Sequence, residues 1–249
     1  MTFDWHKRFV QQSLWTRPLR EYLCRDLTIS PSSLVLEVGS GTGVIALDFY
    51  GDNVCRLFGI DIDLLWCVMA TRFSQNIAFH NGDAYHLPYA SNTFDLVFCH
   101  YFLLWITSPD AVLQEMLRVL KPGGRFLAFA EPDYAARIDA PAQLERLGIL
   151  QTNSLINQGV NPRIGRNLPA LVTSAGFCQC QYGISSYEQV GGDLPEWWES
   201  EWEVIAEDLK SFVDPEKLAL MKKIDHDNWL SGTRVLWIPT FYLSCIKPL

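Results

Sequence analysis

The feature that most constrains this chain is an apolar run that ends abruptly in glycine. Leu34-Val35-Leu36-Glu37-Val38 reads as a short strand. Gly39-Ser40-Gly41-Thr42-Gly43 follows without a spacer, and a helical stretch lies behind it. Glycine at alternate positions lets a backbone pass close to a ligand where a Cβ would collide. The helix that follows offers N–H groups with no partner in its first turn, so such a corner can bind as well as turn. A strict dinucleotide fingerprint would place its third glycine at position 44, and position 44 is Val. On this turn alone, a ligand corner and a plain strand–helix junction both stay open.

An alternation builds on that corner. Val54–Ile60 is a second strand-like run, followed by a helix over about 63–74; Ile77–His80 and Phe94–Cys99 are a third and fourth. Ser108-Pro109-Asp110 starts a helix with an N-cap, a proline at its first position and an acid in its first turn. Lys121-Pro122-Gly123-Gly124 stops it, and Arg125–Ala130 is a fifth strand. Strands alternating with helices predict a parallel sheet covered on both faces. Helices are expected over 140–158 and Ile164–Ala175, the latter closed by Gly176, with long strands over Phe177–Val190 and Arg234–Lys247. Two late strands joined by an insertion predict an antiparallel edge. The expected fold is α/β: one doubly wound, mostly parallel seven-stranded sheet with an antiparallel edge strand, plus helical additions. One domain is expected over 1–249. N-terminal helices over 1–30, broken near Pro18, precede a core at 31–131, with additions at 132–163 and 191–232.

Charge and composition narrow the partners. The net charge is −8, and the stretch from Asp193 to Asp227 alone holds eleven acids against four lysines. Such a chain lacks the basic footprint that phosphate-backbone binding needs, so no nucleic-acid partner is expected. No apolar run approaches the roughly eighteen residues of a membrane span, so no membrane insertion is expected. The opening residues Met1-Thr2-Phe3-Asp4-Trp5-His6 do not read as a secretory signal, and a cytoplasmic location is expected. The seven scattered cysteines read as buried free thiols, Cys178-Gln-Cys180 having neither redox nor zinc spacing, and no metal is expected.

Two acids add to the glycine turn. Asp61 ends the second strand run twenty-two residues after Gly39, where a carboxylate can accept both hydroxyls of a ribose. Asp63 is the better candidate for the N-cap of the next helix. Asn81-Gly82-Asp83-Ala84 follows the third strand, where Asp83 could accept from a purine amine. A lone Gly-Asp is a common turn, and its weight comes from its place in the series.

Read in order, Leu34–Gly43 as LVLEVGSGTG, Phe58–Asp63 as FGIDID, Asn81–Ala84 as NGDA, Phe94–Cys99 as FDLVFC and Leu120–Phe126 as LKPGGRF resemble the class I S-adenosylmethionine-dependent methyltransferases. The likeness is to the branch that includes the ubiquinone and menaquinone biosynthesis enzymes. It covers about 30–131 and resumes at Arg163–Phe177. The resemblance implies a Rossmann-like methyltransferase fold, S-adenosyl-L-methionine as cofactor and a methyl acceptor as substrate. It implies that Glu37, Gly39, Ser40, Gly41 and Gly43 face the methionine end and that Asp61 binds the ribose. Ile62 would pack on the adenine, Asp83 and Ala84 would meet its amine and ring edge, and Cys99 and His100 would lie near the sulfonium.

In-line methyl transfer needs the acceptor atom about 3–3.5 Å from the methyl in a dry pocket, with a base only when the acceptor must lose a proton. Candidate catalytic residues are His100, at the carboxyl end of the fourth strand, and Asp133 and Tyr134, after the fifth. For His100 the favoured reading is a neutral ring that only packs on or hydrogen-bonds to the cofactor. His6 is a weaker candidate, and His80 and His86 suit surface turns. In the acidic addition, Trp197, Trp198, Trp202 and Trp229 with Glu199, Glu201 and Glu203 would suit a lid over a cationic acceptor. An amphipathic pair packing its Trp side chains inward is favoured over that lid. The charge balance favours a small-molecule acceptor, while the accepting atom and the oligomeric state are not legible. Competing readings are a cofactor-binding scaffold without turnover and a nicotinamide-dependent oxidoreductase, which Val44 argues against.

Overall fold

The computed structural model describes residues 4–52, 55–186 and 189–249. Its strands are β1 (Leu34–Val38), β2 (Arg56–Asp61), β3 (Ala78–Asn81), β4 (Phe94–Cys99), β5 (Leu120–Pro132), β6 (Ile138–Ala140), β7 (Cys178–Ser186), β8 (Gln189–Val190), β9 (Val235–Trp237) and β10 (Pro239–Ile246). The helices are α1 (Trp5–Cys24), α2 (Val44–Asp52), α3 (Leu64–Phe73), α4 (Pro109–Val119), α5 (Glu145–Asn157), α6 (Ile164–Ala175), α7 (Trp198–Leu209) and α8 (Pro215–Leu230).

Seven strands form one sheet in the order β3-β2-β1-β4-β5-β10-β7. β3, β2, β1, β4 and β5 pair in parallel, and β10 runs antiparallel to both β5 and β7 at the far end. Alternate strand residues feed two cores, as the two-residue period of a pleated strand requires. Leu36, Val38, Val97, Phe126 and Ala128 pack with α4 and α6 through Leu113, Met116, Leu168 and Val172. Val35, Leu96, Phe98, Leu127 and Phe129 pack on the opposite face against Ile45, Ala46 and Phe49 of α2. Burial on both faces is why these strands read as continuous apolar runs. The strand order reverses at β1, which opens a crevice beyond the carboxyl ends of β1 and β4.

Several expectations shift. The start of the second strand moves in, and Val54 lies outside the described residues. The long strand expected over Phe177–Val190 is β7 and β8, with residues 187–188 outside the described set. The one expected over Arg234–Lys247 is split into β9 and β10. The break expected near Pro18 does not occur: α1 runs through it. The buried Arg20 guanidinium braces that stretch, donating to the Ser13 carbonyl at 2.8 Å and the Thr16 hydroxyl at 2.6 Å while pairing with Asp48 on α2.

The addition at 132–163 is not purely helical, because its β6 joins β9 and β8, which lie just outside 191–232, in a small antiparallel sheet. Trp198, Trp202 and Trp229 are no lid. They are buried with Leu144, Leu147, Ile205 and Leu209 in a third core. Both Trp198 and Trp202 donate their indole N–H to one oxygen of buried Asp225, at 2.6 and 2.8 Å. Arg234 donates to the other oxygen at 2.7 Å and reaches Asp139 at 2.7 Å, which also pairs with Arg137. Nor are all the cysteines free. Cys180 and Cys245 form a disulfide between β7 and β10, beside a register shift at Ser244/Ile246; Cys24, Cys55, Cys67, Cys99 and Cys178 are thiols. Among the described residues no helix is long and apolar enough to cross a membrane.

Candidate active site

The glycine corner has the geometry its composition foretold. Gly39, Gly41 and Gly43 have φ of 75°, 50° and 80°, a region that side chains rarely adopt. The N–H groups of Gly39 and Ser40 both donate to the Ile60 carbonyl, at 2.9 and 3.0 Å, clamping the turn to β2. Asp61 closes the clamp, accepting from the Gly41 N–H at 2.7 Å and the Asp63 N–H at 2.9 Å. A Cβ on Gly39 would overlap the ring of Phe102. We expect Gly39→Ala to lower the melting temperature and abolish ligand binding at this corner, since it adds a positive-φ penalty to a clash. Unchanged thermal shifts with nucleoside ligands would contradict this.

Beyond the corner lies a cavity of about 700 Å³. Its walls bring together Glu37, Gly39, Ser40, Gly41, Asp61, Ile62, Asp83, Ala84, His100 and Tyr134. Glu37 is 1% exposed, and its Oε2 and the Ser40 Oγ have no hydrogen-bond partner among the described residues. Burial pushes the Glu37 carboxyl well above its usual range, opposed by the Ala46 N–H. Asp61 is also raised by burial, against the N–H groups of Asp63 and Gly41. Asp83 accepts from the Tyr85 N–H at 2.9 Å and so caps the short turn Ala84–His86. Ile62 is 75% exposed at the rim.

Trp5, Phe9 and Gln12 of α1 also line the cavity, and the Phe9 ring packs on the glycine corner, its Cε2 3.2 Å from where a Cβ of Gly41 would stand. The helix is pinned there by His6 Nδ1 to Thr42 Oγ1 at 2.9 Å and by Thr16 Oγ1 to His100 Nε2 at 2.8 Å. Further out, Arg8 pairs with Glu201 of α7 at 2.5 Å. Burial, with Arg20 nearby, holds His100 well below the ordinary imidazole range, so its ring is neutral at physiological pH. His80 bonds the Tyr89 hydroxyl at 2.8 Å, and neither His80 nor His86 lines the cavity.

Three expected site residues fall outside the wall. Gly43 backs onto Phe79, whose Cζ lies 2.7 Å from where a Cβ would stand. Cys99 shares the inward face of β4 with Val97, and its thiol meets Glu131 at 3.7 Å instead of the cavity. Asp133 has a side chain only 1% exposed and locked in an ion pair with Arg166 of α6. Strand alternation puts His100, one residue on, where Cys99 cannot reach.

Other residues of the site had no readable signal. Tyr101, Phe102, Leu104, Trp105 and Ile106 line the cavity from the loop after β4. Behind that loop sits Glu131, fully buried at the end of β5. Burial raises its carboxyl to about 7, although the N–H groups of Phe102, Leu103 and Leu104 and the Cys99 thiol pull it down. A carboxyl raised on folding stabilises the protein fully below its unfolded value near 4.3, and that stability is lost as pH climbs through 7. We expect Glu131 to contribute a fall in unfolding free energy on the order of 3–4 kcal/mol between about pH 4 and pH 8. Glu37 and Asp61 act with the same sign. Glu131→Gln should reduce the slope in denaturant titrations across that window, and identical slopes in the two proteins would refute the assignment.

Residues 36–128 match the profile of a family described as a methyltransferase domain. An uncharacterised methyltransferase of Schizosaccharomyces pombe is 39% identical over 41% of this chain and 37% of its own length. The demethylmenaquinone methyltransferase of Renibacterium salmoninarum is 34% identical over 48% of this chain and 51% of its own. The chain thus spans between about a third and a half of the length of these relatives. Among solved structures, the Haemonchus contortus phosphoethanolamine N-methyltransferase 2 complex with phosphomonomethylethanolamine and S-adenosylhomocysteine superposes with a TM-score of 0.61, covering 96% of this chain and 57% of that one. At 15% identity that likeness is one of fold alone. With a methyltransferase-domain match at its core and this sheet around it, the chain resembles the class I S-adenosylmethionine-dependent methyltransferases, in the branch that includes the ubiquinone and menaquinone biosynthesis enzymes.

Proposed function

We propose that this chain transfers a methyl group from S-adenosyl-L-methionine to a small-molecule acceptor by in-line displacement. The observation that carries the reading is the cavity at the carboxyl edge of the sheet, where Glu37 Oε2 and Ser40 Oγ are buried without partners beside the glycine corner and Asp61. A buried carboxyl oxygen without a partner is costly, and a cationic ammonium with hydrogen-bond donors would satisfy it. Glu37 would hold the amino-acid end of the cofactor beside Gly39, Ser40 and Gly41. Asp61 keeps lone pairs free for the ribose hydroxyls, Ile62 would cover one adenine face, and Asp83 and Ala84 would meet its edge. The cofactor, when bound, supplies an electrophilic methyl on a sulfonium.

The outer half of the cavity would take the acceptor. Its wall is rich in apolar rings, including Trp5, Phe9, Phe102 and Trp105, and excludes water around the reacting atoms. His100 is neutral, its Nε2 is bonded to Thr16, and the burial that keeps it neutral opposes protonation, so its role would be to orient the acceptor, with Tyr134 on the same wall. The addition 132–163 would border this side, where Tyr134 and Gln158 join the wall, while no described residue of 191–232 lines it. The relative named for demethylmenaquinone methylation favours a small apolar acceptor over a macromolecule, as does the acidic charge balance.

Calorimetry with S-adenosylhomocysteine and NADH tests the cofactor, and labelled methyl transfer to an acceptor panel tests turnover. Binding of NADH but not S-adenosylhomocysteine would overturn the proposal, and cofactor binding without turnover on any acceptor would favour a scaffold.

A further inference from the structure

Glu131 is buried, ionisable and absent from the cavity wall, yet its carboxylate is bonded to the segment that forms part of that wall. Its Oε1 accepts from the N–H groups of Phe102 and Leu103, both at 3.0 Å, and its Oε2 from that of Leu104 at 3.3 Å. Three consecutive amides therefore converge on one side chain at the start of the short turn Leu103–Trp105. The residue before them, Tyr101, is held in a left-handed conformation with φ of 48°, its N–H bonded to the Ala130 carbonyl at 2.8 Å. A non-glycine residue in that region persists only where its surroundings fix it. Phe102 in turn fills the space that the missing side chain of Gly39 leaves open. The carboxylate, the turn and the glycine corner are thus in series. From β10 and α6 the neighbours Phe241 and Gly165 bring no charge against Glu131; Cys99 and Tyr101 are the titratable groups facing it.

We propose that Glu131 is a positioning residue: it fixes the amides of Phe102, Leu103 and Leu104, and so sets Phe102 and Trp105 at the distance from the glycine corner that cofactor and acceptor require. An apolar residue of the same volume would fill the core equally well but would leave three buried N–H groups without acceptors. The inference rests on the proposed methyltransferase site for its consequence, though not for its geometry.

The test uses the whole protein with Glu131→Gln and Glu131→Asp. In Glu131→Gln the amide NH2 must face one of three donors, so one or more of those bonds is lost. Hydrogen exchange at Phe102, Leu103 and Leu104, measured without ligand, should accelerate by roughly tenfold or more, while the global melting transition stays cooperative. S-adenosylhomocysteine affinity should fall by roughly three- to tenfold in the same protein. Glu131→Asp, which keeps the charge on a shorter arm, should restore part of both. Wild-type exchange and wild-type affinity in Glu131→Gln would overturn the proposal. If Glu131→Gln does not fold, Glu131→Asp carries the test: intermediate exchange at the three amides supports the role and wild-type exchange overturns it. Wild-type protein that binds no S-adenosylhomocysteine would sink the cofactor reading, while the ligand-free exchange rates still decide for or against Glu131.

Discussion

Asp61→Asn is expected to weaken S-adenosylhomocysteine binding by on the order of a hundredfold or more, with little loss of fold. A hydrogen bond to a charged acceptor contributes about 1.5–3 kcal/mol, and a ribose offers two hydroxyls to one carboxylate. Asp61 is well placed to keep that preference, because the Gly41 and Asp63 N–H groups already orient both of its oxygens. Neutralising it removes the charge, and the new amide must turn a donor toward one of those N–H groups. Calorimetry on the two proteins at one pH reads the effect, and circular dichroism checks the fold. Affinities within threefold of each other would mean that the sugar lies elsewhere. The result would also bear on Glu37, since both acids sit in the same desolvated corner and Asp61 raises the Glu37 carboxyl.

The largest stability effect is expected far from the cavity. Asp225→Ala should cost about 3–5 kcal/mol, the usual effect of stripping one partner from a buried ion pair. For a chain of this size that is a fall in melting temperature of roughly 10 °C. Asp225 is 4% exposed and receives Trp198, Trp202 and Arg234 together. Its removal leaves two indole N–H groups unbonded and leaves Arg234, only 2% exposed, with Asp139 as its remaining acid. Thermal denaturation followed by Trp fluorescence would report directly on this core. A loss under 1 kcal/mol would show that water enters the cluster and replaces the carboxylate.

What could be read in advance follows the range of the interaction. The alternation of β1 to β5 with helices was legible because those strands are buried on both faces, so their apolar runs do not depend on which neighbour they meet. The glycine corner and Asp61 were legible because a turn of that kind is made by adjacent residues and the acid follows at a set distance. Glu131 was not, since its partners Phe102, Leu103 and Leu104 lie 27 to 29 positions earlier and offer only backbone. His100 was picked out by its place after β4, but its bond to Thr16 spans 84 positions and gives no local sign. The continuity of α1 was missed because Pro18 is a local signal for a break, and the tertiary hold of Arg20 on Ser13, Thr16 and Asp48 overrides it. Cys99 and Asp133 were placed by proximity to strand ends, where one step of strand alternation or one arginine decides the direction. The pairing of Cys180 with Cys245 joins residues of two paired strands that are 65 positions apart in the chain, which no spacing of cysteines encodes.

One wall of the cavity differs in kind from the rest. Most of the other lining residues lie at strand ends or in the loops that leave them, with Val44, Ile45 and Trp66 added from α2 and α3. The wall made by Trp5, Phe9 and Gln12 belongs to a helix that joins no strand and is held to the rest of the protein through side chains, among them Arg20 to Asp48, Arg8 to Glu201, His6 to Thr42 and Thr16 to His100. Because no hydrogen bond of the sheet runs through this helix, a substitution that loosens its hold reshapes the pocket and leaves the sheet's ladder of bonds unbroken.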